Sequence, residues 1–414
     1  MSKLERLIQE YCPNGVEHKK LREVATISRG GNFQKKDYVE EGVPCIHYGQ
    51  IYTQYGLFVD KTISFISEEK AKKQKFAVKN DVVMAVTSEN LDDVCKCIAW
   101  LGEEDIAISG HAAIIHHTIN PKYLVYYLHS TMFHKQKAKL AHGTKVIEVT
   151  PDKLLDIVIP VPPMEVQGEI VRILDNFTEL TAELTAELTA RKKQYEYYRD
   201  DILTFDVNSV KWCELNEVIV SLNTGLNPRQ FFQLNTDDAT NYYVTIREIR
   251  DGQIVPNEKT DLINDEALKL CNNRSNLEIG DVLFSGTGTI GETAVIKEKP
   301  HNWNIKEGVY TIKPNQEYIL SDFLRYLLCA SHIKTAYMKK VAGGTVKSIP
   351  MGELKKLKIP VPSISEQKEI VVTLSRFDTL CNDISAGLPA EIEARKKQYE
   401  YYRDKLLTFK ELSV

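Results

Sequence analysis

Long apolar runs are missing from this chain of 414 residues, so no membrane-spanning helix is expected. Its first residues, MSKLERLIQEY, are charged and amphipathic, unlike a signal peptide. The cysteines, Cys12, Cys45, Cys95, Cys97, Cys213, Cys271, Cys329 and Cys381, include no C-x-x-C pair, which excludes the usual zinc ligand sets. Cys95 and Cys97 lie in an apolar stretch and read as buried thiols, and a reduced, cytoplasmic protein is expected. His111, His116, His117, His134 and His142 come without an H-E-x-x-H motif or paired carboxylates, so ordinary histidines are favoured over a metal site. The Asn/Asp-Pro-Pro-aromatic loop of a DNA amino-methyltransferase is absent, as is a clear Pro-Asp…Glu-x-Lys nuclease set. Strong positive charge is lacking too. The net charge of −4 gives no support for nucleic-acid binding by itself and does not exclude it. An apolar content of 43% is ordinary, and the length suits two to three domains that each bury a core.

What is present is a duplication. Residues 190–205 read ARKKQYEYYRDDILTF and residues 394–409 read ARKKQYEYYRDKLLTF, differing only at Asp201/Lys405 and Ile202/Leu406. Upstream of each lies an Ile-Pro-Val-Pro segment, expected to be a hinge, at 159–162 and 359–362. Each leads into a helix start, Glu165-Val-Gln167-Gly-Glu-Ile-Val171 and Ser365-Glu-Gln367-Lys-Glu-Ile-Val371. Asn14-Gly-Val16 echoes Asn208-Ser-Val210, and Asn80-Asp-Val-Val-Met echoes Gly280-Asp-Val-Leu-Phe. The frame is retained and the interiors have diverged, as in two modules of one fold that read different things.

Two kinds of segment alternate. From about residue 165 apolar side chains recur at steps of three and four, through Phe177, Leu180, Leu184 and Leu188 to Tyr195 and Tyr198. Between them runs a tandem Thr-Ala-Glu-Leu repeat, and a helix of about 40 residues would be roughly 60 Å long. The distal copy carries Phe377, Leu380, Ile384, Tyr399 and Tyr402, with a break expected at Gly387-Leu-Pro389. Matching stripes predict that the two helices pair, antiparallel. The other segments are mixed. Asp81-Val-Val-Met-Ala-Val and Asp281-Val-Leu-Phe-Ser read as buried strands, and 122–140 and 318–341 each read as an amphipathic helix. The fold class is α+β.

The duplicated R-K-K-Q-Y-E-Y-Y-R-D block, the I-P-V-P…Q-x-E-I-V helix starts, the L-P-A-E-I-E-A lead before the distal block and the Thr-Ala-Glu-Leu run resemble the specificity subunits of type I restriction-modification enzymes. The tandem run is similar to the IC-type members. The resemblance covers the whole chain in the order variable, shared, variable, shared. It implies two pseudo-symmetric target recognition domains at 1–157 and 207–357, separated by helical spacers at 158–206 and 358–414. Each domain would read half of a split, asymmetric site in double-stranded DNA. The helices would dock two methyltransferase subunits, through which restriction subunits join. No catalysis and no cofactor belong to such a chain; S-adenosylmethionine, ATP and Mg are expected in the partner subunits.

Residues able to meet base edges and phosphates gather in four stretches of the first half. They are Arg29, Asn32, Lys35 and Lys36; Tyr48, Gln50 and Tyr52; Ser88 and Asn90; and Thr144 and Lys145. Matching places in the second half hold Asn223, Thr224, Asn227, Arg229 and Gln230; Arg247 and Arg250; Ser285, Thr287 and Thr289; and Thr345 and Lys347. Any one stretch taken alone could equally be a solvated loop. The duplicated block is basic and aromatic but carries its own carboxylates, so helix pairing and partner docking are expected of it, with Arg199 and Arg403 at the docking surface.

Two other readings remain open. One is a tandem-repeat adaptor that binds only proteins. The other is an enzyme that holds a nucleotide in Gly286-Thr-Gly-Thr-Ile-Gly291, which fits G-x-G-x-x-G. That loop should be followed by a helix N-terminus, whereas Glu292-Thr-Ala-Val-Ile reads as a strand, and Glu292 stands where a Walker lysine would be. A glycine-rich hairpin turn is expected there.

Overall fold

The Ile-Pro-Val-Pro segments are strands, not hinges. In a computed structural model, which describes residues 2–412 apart from 251, 345, 383–385 and the side chain of Gln230, Val158–Pro160 pairs antiparallel with His18–Lys20. Lys358–Val361 pairs the same way with Lys211–Glu214. Proline is tolerated because each ladder has only two strands and leaves an edge free. The last strand of each module thus closes on its first, and the chain turns directly into a long helix.

The glutamine in each helix start explains why that motif is written twice. Gln167 is 2% exposed and Gln367 is 0% exposed. Gln167 accepts from the Asn120 N–H at 2.9 Å and donates to the Pro162 carbonyl at 2.7 Å. Gln367 accepts from the Leu320 N–H at 2.9 Å and donates to Pro362 and Tyr318. Each amide fastens the long helix to the start of a helix in its own module, and satisfies backbone groups that burial would otherwise leave orphaned.

The described chain forms two compact units, residues 1–183 with 393–414, and residues 184–392. In the first, a five-stranded sheet runs in the order Ala25–Arg29, Ala112–His117, Val82–Ala85, Cys97–Trp100, Phe58–Val59. A second five-stranded sheet contains Val43–Ile46 and Ile106–Ile108. The second unit has a four-stranded sheet in the order Ile219–Thr224, Val309–Pro314, Val282–Ser285, Thr293–Val295, and a three-stranded sheet around Asn241–Val244. The runs read as buried strands are so: Val82–Ala85 and Val282–Ser285 are buried along their whole length. All eight cysteines are free, and Cys95 and Cys97 are buried.

Each segment expected as one amphipathic helix is two. Pro121–Leu128 is followed by Thr131–Lys137, and Ser321–Cys329 by Ser331–Met338. The chain turns through extended backbone at Ser130 (φ −80°, ψ 161°) and Ala330 (φ −64°, ψ 136°). The second helix of each pair begins on a carboxylate from a duplicated block. The Thr131 N–H donates to Asp404 at 3.3 Å and the Ser331 N–H to Asp200 at 3.0 Å.

The central helix is continuous over Met164–Ile202. Threonines of the tandem run turn their hydroxyls onto the preceding turn, as Thr181 does on the Phe177 carbonyl at 2.9 Å. The distal helix is divided. One stretch ends at Asn382 and the next begins at Gly387, whose φ is +76° and whose absent Cβ would lie 2.6 Å from the Thr379 carbonyl. Ile384 of the expected stripe lies outside the described residues. Phe177 stacks on Tyr402 at 5.4 Å within the first unit, and Tyr198 on Phe377 at 5.9 Å within the second. Each pair sets a ring of the central helix against a ring of the distal one.

The stripe of each block joins the core of a unit whose globular part comes from the other half of the sequence. Leu407 is fully buried in the first core, with Tyr399 and Leu406 packed against it. Leu203 and Tyr195 are buried in the second, with Leu188 and Ile202 alongside. In the first unit the chain then closes on itself: the Val16 N–H donates to the Lys410 carbonyl at 2.8 Å and the Leu412 N–H to Val16 at 3.0 Å. Leu180, Tyr198 and Leu380 are the outliers of the stripes, 37%, 39% and 39% exposed; Leu184 is half-buried.

Candidate nucleic-acid interface

Arg29 closes its strand and is followed by Gly30 and Gly31. Their N–H groups donate to the carbonyls of Ala112 at 2.9 Å and Ile108 at 2.7 Å. A Cβ on Gly30 would lie 2.3 Å from the Ser109 carbonyl, so only glycine lets the Arg29–Lys36 loop lie this close to its neighbour. The Tyr48 N–H donates to Ser109 Oγ at 2.9 Å, which brings the helix Tyr48–Thr53 to the same place. The Tyr52 hydroxyl donates to the Thr87 carbonyl at 2.8 Å. Thr87–Ser88 pairs with Ile147–Glu148, at the base of the turn that carries Thr144 and Lys145. Arg29 and Glu148 form an ion pair across this group. The four stretches expected in the first module therefore converge.

Matching stretches converge in the second. Gly225 donates to the Val309 carbonyl at 3.3 Å and Leu226 bridges to Lys306. The Lys306 N–H donates to the Val244 carbonyl at 2.8 Å, beside the segment that carries Arg247 and Arg250. The glycine-rich stretch is a turn between antiparallel strands, Val282–Ser285 and Thr293–Val295. Thr287 bridges to Ser348, and the Gly288 N–H donates to the Lys347 carbonyl at 2.9 Å. No helix follows it, so the geometry that a phosphate loop needs is missing.

Several expected DNA contacts are corrected by burial. Gln50 is 6% exposed and uses both ends of its amide, on Ser64 Oγ at 2.8 Å and the His47 N–H at 2.8 Å. Thr224 is 7% exposed and donates to the Val309 carbonyl. Ser285 is fully buried; it donates to the Thr289 carbonyl at 2.6 Å and accepts from the Glu292 N–H at 2.8 Å. These three hold loops in shape. Asn90 and Asn227 also use both ends of the amide: Asn90 accepts from the Asp93 N–H and donates to the Asp93 carboxylate, and Asn227 accepts from the Arg229 N–H and donates to Glu307. Arg247 donates to Asp261 at 2.8 Å, and Arg250 Nε donates to the Arg247 carbonyl. Asn32, Lys35, Lys36, Thr144, Lys145, Arg229, Arg250, Thr289 and Lys347 are exposed; Tyr48, Ser88, Asn223 and Thr287 are half-buried. Thr345 and the Gln230 side chain lie outside the described residues.

The geometry adds residues that sequence reasoning passed over. His111 Nδ1 lies 3.3 Å from Thr87 Oγ1 and its ring 5.1 Å from that of Tyr48. Burial, with Lys35 and His111 nearby, lowers the pKa of His47 below its usual value, which favours its neutral form. Glu148, Lys306 and Glu307 belong to the same groups of loops. Their only sequence signal is proximity to a named loop. Among the described residues no group of three or more His, Cys, Asp or Glu side chains could hold a metal.

The guanidiniums expected at the docking surface are largely covered. Arg199 and Arg403 have side chains 11% and 10% exposed and bond to Asp200 and Asp404, each at 3.0 Å. They lie over the rings of Tyr195 and Tyr399 at 5.7 and 5.5 Å. The most exposed aromatic side chains of the blocks are Tyr197, at 68%, and Tyr401, at 61%.

The family described as "Type I restriction modification DNA specificity domain" matches twice, over residues 13–191 and 210–394. The chain belongs to that family. It is 35% identical, over 294 residues and 70% of each chain, to the type I restriction enzyme EcoR124I/EcoR124II specificity subunit of Escherichia coli. A solved structure described as the basis of complex assembly and conformational transition of the type I restriction-modification system has the same fold, with a TM-score of 0.64 at 16% identity. The match covers 95% of this chain and 98% of that one. As a type I specificity subunit, the chain supplies DNA sequence specificity and no catalysis of its own. Among the described residues no helix is long and apolar enough to cross a membrane.

Proposed function

We propose that this chain recognises a bipartite, asymmetric duplex site, each module reading one half. The observation that carries the reading is the convergence of matching loops in both units on the same backbone frame, with different side chains set into it. We infer recognition domains at 1–157 and 207–357 and helical spacers at 158–206 and 358–414. The two duplicated blocks dock two methyltransferase subunits, and restriction subunits join through these. Two near-identical blocks suit two identical partners better than two unlike half-sites. With Arg199 and Arg403 turned inward, docking falls to the exposed faces around Tyr197 and Tyr401. S-adenosylmethionine, ATP and Mg act in the partner subunits, and the complex works in the cytoplasm.

The test is to sequence methylated adenines in a host that carries this chain with its methyltransferase subunits. A split motif with an unread spacer is expected. Methylation without a split motif would refute the reading. An adaptor that binds only proteins would show no sequence-dependent, salt-sensitive affinity for duplex DNA in the presence of the methyltransferase subunit.

A further inference from the structure

The ion pair between Arg29 and Glu148 joins two of the DNA-facing stretches of the first module. Its position is fixed by backbone on both sides. Arg29 pairs with Ala113 at the end of its strand, just before the tightly held Gly30. Glu148 pairs with Thr87, and exchanges backbone hydrogen bonds with His142 at 2.8 and 3.0 Å, which close the turn carrying Thr144 and Lys145. The strand registers give the matching positions of the second module. Thr224 pairs with Tyr310 as Arg29 does with Ala113, and Ser348 bridges to Thr287 as Glu148 pairs with Thr87. One frame thus holds an arginine and a carboxylate in the first module and two hydroxyls in the second.

Stability gives no reason for this pair. The side chains are 47% and 31% exposed, and ion pairs in such settings add little. A carboxylate facing a polyanion is unfavourable unless it performs a task there. A carboxylate accepting from a guanidinium fixes the plane of its fork, and the fork matches the O6 and N7 acceptors of guanine in the major groove.

We propose that Arg29 reads a guanine in the half-site of the first module and that Glu148 is its positioning residue. This rests on the bipartite reading above. The experiment maps methylated sites for the intact complex carrying wild-type chain, Glu148→Gln or Arg29→Lys. Wild type should show a guanine at one defined position of one half-site. Each variant should relax discrimination at that base pair by about tenfold or more, as loss of a bidentate contact does, and leave the other half-site unchanged. Arg29→Lys keeps the charge and removes the fork, so it serves if Glu148→Gln does not assemble. An unchanged motif, or weakening spread evenly over all base substitutions as for a phosphate contact, overturns the proposal. A wild-type motif that is not split overturns the bipartite reading and this inference with it, whereas a split wild-type motif with unaltered variants overturns this inference alone.

Discussion

At the scale of single residues, the repeated motifs mark tie points. The glutamine of each helix start is buried and fully bonded, so Gln367→Ala should leave the Leu320 N–H and two carbonyls without partners, at a cost of about 1–3 kcal/mol. Urea unfolding followed by tryptophan fluorescence measures it, and an unchanged midpoint would contradict the assignment. Glu169 is 4% exposed and sits between Arg172 at 2.7 Å and Lys3 at 2.8 Å. The hydrogen bond from Arg172, then that from Lys3, hold its pKa at about 2, against an ordinary value of 4.5. The folded value is depressed, so the group adds stability above pH 4.5 and loses it as pH falls towards 2. The stability gap between wild type and Glu169→Gln should therefore narrow over that window, and a gap constant from pH 6 to pH 2 would rule the linkage out. The polar residues of the loops show what the sequence hides. Gln50, Thr224 and Ser285 have the same chemistry as Asn32 and Thr289, yet they bond to their own backbone or to neighbouring side chains. Composition identifies a donor; only its surroundings show whether protein or DNA satisfies it.

At the scale of elements, the long helices follow from period and composition. The stripe, the tandem run and the Gly-Leu-Pro break are each legible in sequence, and the helix ends at Asn382 and restarts at Gly387 near the expected break. Each segment with one apolar period holds two helices, because the turns at Ser130 and Ala330 interrupt the chain without interrupting that period. Each Thr-Ala-Glu-Leu unit adds about 6 Å of helix, and a base-pair step is about 3.4 Å. Inserting or deleting one unit should change the unread spacer by one or two base pairs and leave both half-sites as they were. Mapping methylated sites for such variants decides this, and an unchanged spacer would defeat it.

At the scale of the whole molecule, the duplicated blocks are exchanged. Leu407, near the end of the chain, completes the core of the N-terminal module, and Leu203 completes that of the following one. Leu407→Ala should cost about 2–5 kcal/mol, as emptying a fully buried leucine site does. The loss should appear in the first unit: hydrogen exchange should quicken in Pro121–Leu128 and Thr131–Lys137 and not in Ser321–Cys329. Quickening in the second unit instead would contradict the exchange. By itself the sequence determined the number of modules, their shared frame, the long helices and which face of each is apolar, because periodicity and repetition are local properties. Which core each stripe enters, and which loop side chains remain outside, were decided only by tertiary structure. An apolar face specifies that it must be covered; the packing of distant segments decides what covers it.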